Sequence, residues 1–443
     1  MRKFLPGGLW RHPDFMKLWG AETVSQLGTH VSQLAIPFVA IVVLEVNAFE
    51  VALLGVIEMA PFILISLPAG VWVDRLRRKP ILVVSDVGRA VLLASIPVAH
   101  WLGALTIWQL YVVGFAVGVL TVFFDVSYQS YLPSLVDREQ LLEGNAKLEV
   151  SRSGTQLAGP GIAGPLIAAV TAPVAVLIDA ISFLGSATFL FAIRKEEAAA
   201  PTREVRRAGP GMKEEVKEGL RWVLGNRYLR WIAASTATFN LFASIIFSIF
   251  LVFAVRELDL GPGTIGLIFA IANVGYLVGA LIANRLAKRF GVGPTIIMGA
   301  ACSVSLLLLA VAPASNPIPF LIAAQAISSM GIPIYNITQV SFRQAITPER
   351  LQGRMNSVMR FIVWGVMPLG SLVGGAIATW FGLRTAIWVG AIGMSFAVLP
   401  VLLSPVRTLR EMPEPVDEPS PLEADGVGGL VPAGAGVLPP AAD

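Results

Sequence analysis

Polar residues interrupt this chain rarely and at nearly regular intervals. Most of it therefore divides into apolar stretches, each long enough as a helix to cross a hydrocarbon layer roughly 30 Å thick. Twelve such stretches lie at roughly 16–44, 51–73, 80–99, 105–130, 148–171, 173–193, 230–255, 263–284, 293–312, 317–341, 356–379 and 384–403. Gly and Pro occur inside many of them, as is usual for membrane helices, whose freed backbone groups find partners on neighbouring helices. The pattern lacks the short-period alternation of a closed barrel. It predicts an all-α integral membrane protein with 12 transmembrane helices.

Composition narrows the class further. Of 443 residues, 55% are hydrophobic and 14% charged, against about 25% charged in a typical soluble domain. The mean hydropathy is +0.72. A water-facing protein of this size could not coat itself with so little charge. The single cysteine, Cys302, rules out an intrachain disulfide framework. Near the N-terminus, Arg11, His12, Asp14 and Lys17 break the apolar run before it reaches signal-peptide length, so the first span is expected to act as the insertion signal.

Basic residues orient the spans. One set of alternate loops holds only Arg256 and Arg384, while the other set, with both chain ends, is rich in Lys and Arg. Because short basic loops stay on the cytoplasmic side, both termini are expected to be cytoplasmic in a multi-pass protein of the plasma membrane. The net charge of +4 is then a topology signal. No basic, aromatic-interleaved surface points to nucleic acid.

The longest polar insertion splits the spans six and six. The expected organisation is a cytoplasmic N-terminus over 1–15, a six-helix bundle over 16–193, a linker over 194–229, a second bundle over 230–403 and a disordered tail over 404–443. Within the linker, Met212 to Leu224 has apolar residues near helical spacing and reads as a helix lying on the membrane surface.

The halves repeat one another. Tyr128 to Leu141 aligns with Thr338 to Leu351 at an offset of 210, which puts Gln129 on Gln339 and Glu139 on Glu349. One inserted position later, Asn145, Gly159 and Gly164 fall on Asn356, Gly370 and Gly375; Asp74-Arg75-Leu76 falls on Asn284-Arg285-Leu286. Two similar bundles that pivot about a central site are what an alternating-access carrier needs.

Between spans 2 and 3 stands Gly70-Val-Trp-Val-Asp74-Arg75-Leu-Arg77-Arg78-Lys79. Gly70 permits close helix approach, and Asp74 suits a helix N-terminus, whose dipole favours a negative charge. These residues resemble the signature loop of the major facilitator superfamily (MFS), and the resemblance covers 15–403, with Arg77 where the pattern often has Gly. It implies that Asp74 and Arg75 latch the bundles on the cytoplasmic side. Span 5 holds Gly154, Gly159-Pro160-Gly161 and Gly164, similar to the Gly-Pro antiporter motif of family exporters; close packing explains these residues equally well. Asp179-Ala-Ile-Ser-Phe183 and Glu218-Gly-Leu-Arg-Trp-Val resemble the branch of macrolide efflux proteins and siderophore exporters.

Ionisable groups inside a bilayer are costly and are functional candidates by default. Glu22, Gln26, His30 and Gln33 share one face of span 1, and Thr236, Asn240, Ser244 and Ser248 share one face of span 7. Gln26, His30, Gln33, Asn240, Ser244 and Tyr335 are the cavity candidates. Glu22, Glu58 and Asp125 are the proton-coupling candidates. Glu58 stands between apolar neighbours, where burial makes protonation depend on the state of the cavity. The repeat places Asp125 opposite Tyr335, so the two are expected to face each other across the cavity; Asp125 could alternatively latch to Arg138 or Arg354. Glu22 could equally snorkel to the membrane surface, Asp179 could simply bond neighbouring helices, and His30 could be a polar contact. Span 4 lacks the arginine that many family antiporters carry.

The expected function is proton-coupled efflux of a lipophilic or amphiphilic small molecule (drug, macrolide or siderophore-like) by a monomer. An importer or uniporter of the same fold, or a non-transporting scaffold, are the alternatives. No P-loop, His-Glu-x-x-His, Cys-x-x-Cys or Gly-x-Ser-x-Gly motif occurs, so neither an enzyme nor a metal or cofactor is expected.

Overall fold

The structure is a computed structural model that describes residues 8–65, 69, 72, 73, 76–136, 140–195 and 212–411. Gly70, Asp74, Arg75 and Arg138, residues 196–211 of the linker and residues 412–443 of the tail lie outside the described residues.

Helices cover each of the apolar stretches. They are α1 (Pro13–Phe38, continued by a π turn at Val39–Val43), α2 (Ala48–Leu64), α3 (Arg78–Trp101), α4 (Ile107–Leu135), α5 (Leu141–Val170) and α6 (Ala172–Phe191). The linker helix is α7 (Met212–Gly225). Then follow α8 (Leu229–Arg256), α9 (Pro262–Phe290), α10 (Val292–Ala301, prolonged through a 3-10 stretch to Val311), α11 (Ile318–Ala345), α12 (Glu349–Gly365), α13 (Met367–Phe381) and α14 (Leu383–Phe396). Among the described residues, ten spans are long and apolar enough to cross a membrane. The two shortfalls have simple causes: α2 is described over 17 residues, and the uncharged end of α5, from Ser153 to Val170, is diluted in hydropathy by Gln156 and by its glycines and prolines.

Local chemistry sets the helix ends. Asn47 and Glu50 form a reciprocal capping box at the start of α2, each side chain accepting from the other's backbone N–H. The single-residue junctions α5–α6 and α13–α14 use one backbone conformation: Thr171 has φ 78°, ψ 157° and Gly382 has φ 94°, ψ 155°. They lie 211 positions apart, the offset of the glycine repeat.

The repeat also appears in the packing. Gly159 of α5 lies on His30 of α1, whereas Gly370 of α13 lies on Leu241 of α8, both pairs shifted by the same 211 positions. The next repeated glycines reach across the halves. Gly164 crosses Gly266 of α9, and Gly375 lies on Ala52 and Phe49 of α2. Glycine at these crossings brings two backbones into contact without side-chain clash.

The end of the molecule carrying the basic loops is here called the basic face. At the opposite face one hydrophobic cluster unites both halves, running through Val31, Phe38, Leu54, Leu93, Phe183, Ile249, Phe253, Ile268, Leu309 and Ile387. Toward the basic face it divides. One cluster, with Leu9, Phe15, Leu18, Tyr131 and Leu190, belongs to the first half; another, with Leu229, Ile232, Phe342 and Met359, belongs to the second. Among the described residues, the halves thus share one apolar core at one end and have separate apolar cores at the other.

The two arginines that depart from the charge pattern are structural. Arg256 Nη2 donates to the Val46 carbonyl across the halves (2.7 Å). Arg384 Nη1 donates to the Ala310 and Ala312 carbonyls at the end of α10 (3.1 and 3.0 Å) and its Nε approaches Glu257 (3.3 Å). Terminal carbonyls of a helix favour a cation.

The linker helix packs on protein. Glu218 pairs with Arg354 of α12, Trp222 Nε1 donates to Thr347 Oγ1 (3.4 Å), and a Cβ at Gly219 would sit 2.9 Å from the Arg354 carbonyl. The Glu218-Gly-Leu-Arg-Trp-Val segment is therefore a docking edge of the second half, not a free surface helix.

Candidate functional site

The polar stripe of α1 runs along α5. Glu22 accepts from Gln26, whose Oε1 accepts from Thr155 Oγ1 (2.8 Å), and His30 Nδ1 faces Gln33 Oε1 (3.2 Å). A Cβ at Gly159 would lie 2.6–2.8 Å from the His30 ring and Cβ, so this glycine of the antiporter-like motif is the slot that receives the imidazole. Nothing lies within 4 Å of the corresponding position at Gly154, which faces open space on the basic side.

The stripe of α8 behaves in parallel. Asn240 Nδ2 donates to the Val363 carbonyl (3.0 Å), just before the break between α12 and α13, and Ser248 Oγ to that of Ser371 (3.4 Å). Ser244 is buried against Gly370. Such bonds hold adjoining helices while leaving few polar groups of the stripe free. Tyr335 points to α8 and shares a hydrogen bond with Thr236 Oγ1 (2.7 Å). The expected Asp125–Tyr335 juxtaposition is therefore not made: the repeat fixes the position of Tyr335 along α11, but its hydroxyl turns to its own half. Arg354, one expected partner of Asp125, pairs with Glu218.

Three acids occupy different surroundings. Asp179 is 1% exposed; its Oδ1 accepts from Ser182 Oγ (3.0 Å) and lies over Gly28, so it knits α6 to α1. Glu58 lies in a groove of α4, its Cγ 2.9 Å from where a Cβ of Gly114 would stand. Among the described residues Glu58 has no hydrogen bond or ion pair. Asp125 is exposed on the wall where the halves separate, within electrostatic reach of Arg89 and Arg152.

Reading the sequence missed a buried charge pair. Asp86 and Arg89 of α3 form a salt bridge at 0% and 3% exposure, and the Arg89 guanidinium lies between the rings of Phe124 (4.4 Å) and Phe183 (4.2 Å). The available signal was opposite charges three apart inside an apolar span. Asn273 of α9 was also missed; its Nδ2 donates to the Leu157 carbonyl across the halves (3.2 Å).

Two helix sets that share one apolar core at one face and have separate cores at the other, with acids inside the spans of the first, define a membrane transporter of the major facilitator fold. Residues 8–425 match the transmembrane secretion effector family of that superfamily, and the chain belongs to it. It is 26% identical to the multidrug efflux pump Tap of Mycolicibacterium fortuitum, over 91% of this chain and 97% of that protein. It is 22% identical to macrolide efflux protein A of Streptococcus pyogenes, over 89% and 97%. The fold is similar to that of a bacterial homologue of the iron transporter ferroportin in its inward-facing state, with a TM-score of 0.70 at 16% identity over 88% of this chain and 98% of that one.

Proposed function

We propose that this transporter exports a lipophilic or amphiphilic small molecule, of the drug, macrolide or siderophore-like kind, in exchange for protons. It works as a monomer in the plasma membrane with both termini cytoplasmic. The basic face is then the cytoplasmic one, by the preference of Lys and Arg for that side. The division of the apolar core toward that face supports an inward-open conformation, ready to take substrate from the cytoplasm or inner leaflet.

The observation that carries the reading is the set of acids in the first half: Glu58, without a partner among the described residues, and Glu22 and Asp125 beside the parting of the apolar cores. A carboxyl group in such a place binds a proton in one conformation and releases it in the other, which is what coupling requires. The efflux relatives support the direction. Asp74 and Arg75, with Gly70 and Arg78, remain the proposed latch of the opposite conformation. Pro160 would stiffen α5 next to the crossing at Gly164.

The test is pH-driven flux of ethidium, erythromycin and tetracycline in proteoliposomes of the wild type, Glu58→Gln and Asp125→Asn. Outward flux that a proton gradient drives, and that at least one substitution uncouples, is the expected result. Unchanged coupling in both variants sinks the acid assignment, and inward accumulation favours the importer.

A further inference from the structure

Span 4 carries no arginine, but the neighbouring helix α3 carries one that is buried. Arg89 of α3, itself buried, lies among the charged groups inside the first half. Asp86 faces it from its own helix, Glu22 from α1, Asp125 from α4 and Asp179 from α6. Arg152 of α5 and Tyr128 of α4 complete the ring around Asp125 and Glu22. Four acids therefore share one deeply buried cation.

Its mounting is rigid. Phe124 and Phe183 hold the guanidinium on either side, and such contacts strengthen where water is excluded. Phe124 is next to Asp125, while Phe183 and Asp179 stand one helical turn apart on α6, so the helices whose rings clamp the cation also carry two of the four acids around it. Only part of the hydrogen-bonding capacity of Arg89 is spent: one Nη donates to Asp86, while Nε is buried without a partner among the described residues. A guanidinium with donors in a fixed fork can hold one carboxylate and still serve a second.

Building on the proposed proton coupling, we propose that Arg89 is its positioning residue. It is a fixed internal counter-ion that keeps its own proton and decides whether Glu22 and Asp125 hold theirs. A carboxylate that takes a proton from one side becomes neutral, and releasing it to the other side restores the anion; the guanidinium stabilises the anion at each release. Removing the cation leaves acids that bind protons and give them up poorly.

Proton movement elicited by ethidium, erythromycin and tetracycline, followed with a trapped pH dye across external pH, tests this in the full chain. The variants are Arg89→Gln, Arg89→Lys and the double change Asp86→Asn/Arg89→Gln, which removes the pair as a unit so that Asp86 is not left as an unpaired buried charge. Arg89→Gln is expected to displace the pH profile of coupled flux to higher pH by about one unit, a roughly tenfold change in proton occupancy, and the double variant by less, because it also removes the Asp86 carboxylate, which acts on Glu22 in the opposite sense. Gradient-free substrate exchange should persist, and Arg89→Lys should restore the profile. A coupled wild type whose profile is the same in Arg89→Gln overturns the role of Arg89. Loss of exchange and coupling together in all three variants also overturns it, as a purely structural effect. A wild type that moves no protons with any probe sinks the coupling reading itself.

Discussion

Gly164 of α5 and Gly266 of α9 cross with their Cα atoms so close that a Cβ on either would lie 2.7 Å from the other's Cα. This crossing ties the two halves where they share one apolar core, and its repeat counterpart is Gly375 on α2. Any side chain there acts as a wedge. Gly164→Val should disfavour the closed opposite face by about 1–3 kcal/mol, or about 5–150-fold in the ratio of conformations. Spin labels at Asn47 and Thr379, which line one cleft between the halves, should separate in Gly164→Val and stay put in Gly154→Val. An unchanged distance distribution in Gly164→Val would refute the wedge.

Thr171 occupies a backbone region that glycine holds at the equivalent junction, Gly382. A β-branched residue there carries strain on the order of 1–3 kcal/mol. Glycine relieves it but gives back about 1 kcal/mol through the freer unfolded chain. Thr171→Gly should therefore leave the thermal midpoint in detergent equal or higher, whereas Gly382→Thr should lower it. The reverse order of the two midpoints would mean that Thr171 is unstrained.

The spans were legible because hydrocarbon thickness imposes a length and polarity that no local competition overrides, and the repeat was legible because both halves kept the same glycines. What each glycine does was not. Gly159 and Gly164 read alike along the helix, yet one admits His30 within its half and the other meets Gly266 in the second half. That difference depends on which helix lies opposite, a property of tertiary packing. Asp86 and Arg89 escaped notice for a related reason: paired three residues apart, they interrupt an apolar stretch without ending it. The repeat placed Tyr335 at the right depth but could not fix the rotation that sends its hydroxyl to Thr236.

The slot at Gly159 predicts a specific coupling. Gly159→Ala should cost about 1–3 kcal/mol by overpacking against His30. Trimming His30 to alanine removes the ring but not the Cβ, which itself would lie 2.7 Å from the new methyl. Rescue in the double variant should therefore be partial, with an interaction energy of at least about 0.5 kcal/mol in a thermal double-mutant cycle. Strictly additive effects would show that the imidazole does not fill the slot.

Arg384 makes two kinds of contact whose values differ. Its pairing with Glu257 is between side chains 37% and 30% exposed, so it is worth about 0–1 kcal/mol. Its bonds to the Ala310 and Ala312 carbonyls satisfy backbone acceptors where α10 ends, and hydrogen bonds from a charged donor contribute about 1.5–3 kcal/mol when buried. Partial exposure places the loss near the lower end. Arg384→Gln should lower thermal stability by about 1–2 kcal/mol, and Glu257→Gln by less than about 0.5 kcal/mol. Equal losses would assign the arginine's role to the ion pair. A larger loss at Arg384 means that this arginine, against the charge pattern of its face, is kept to cap a helix.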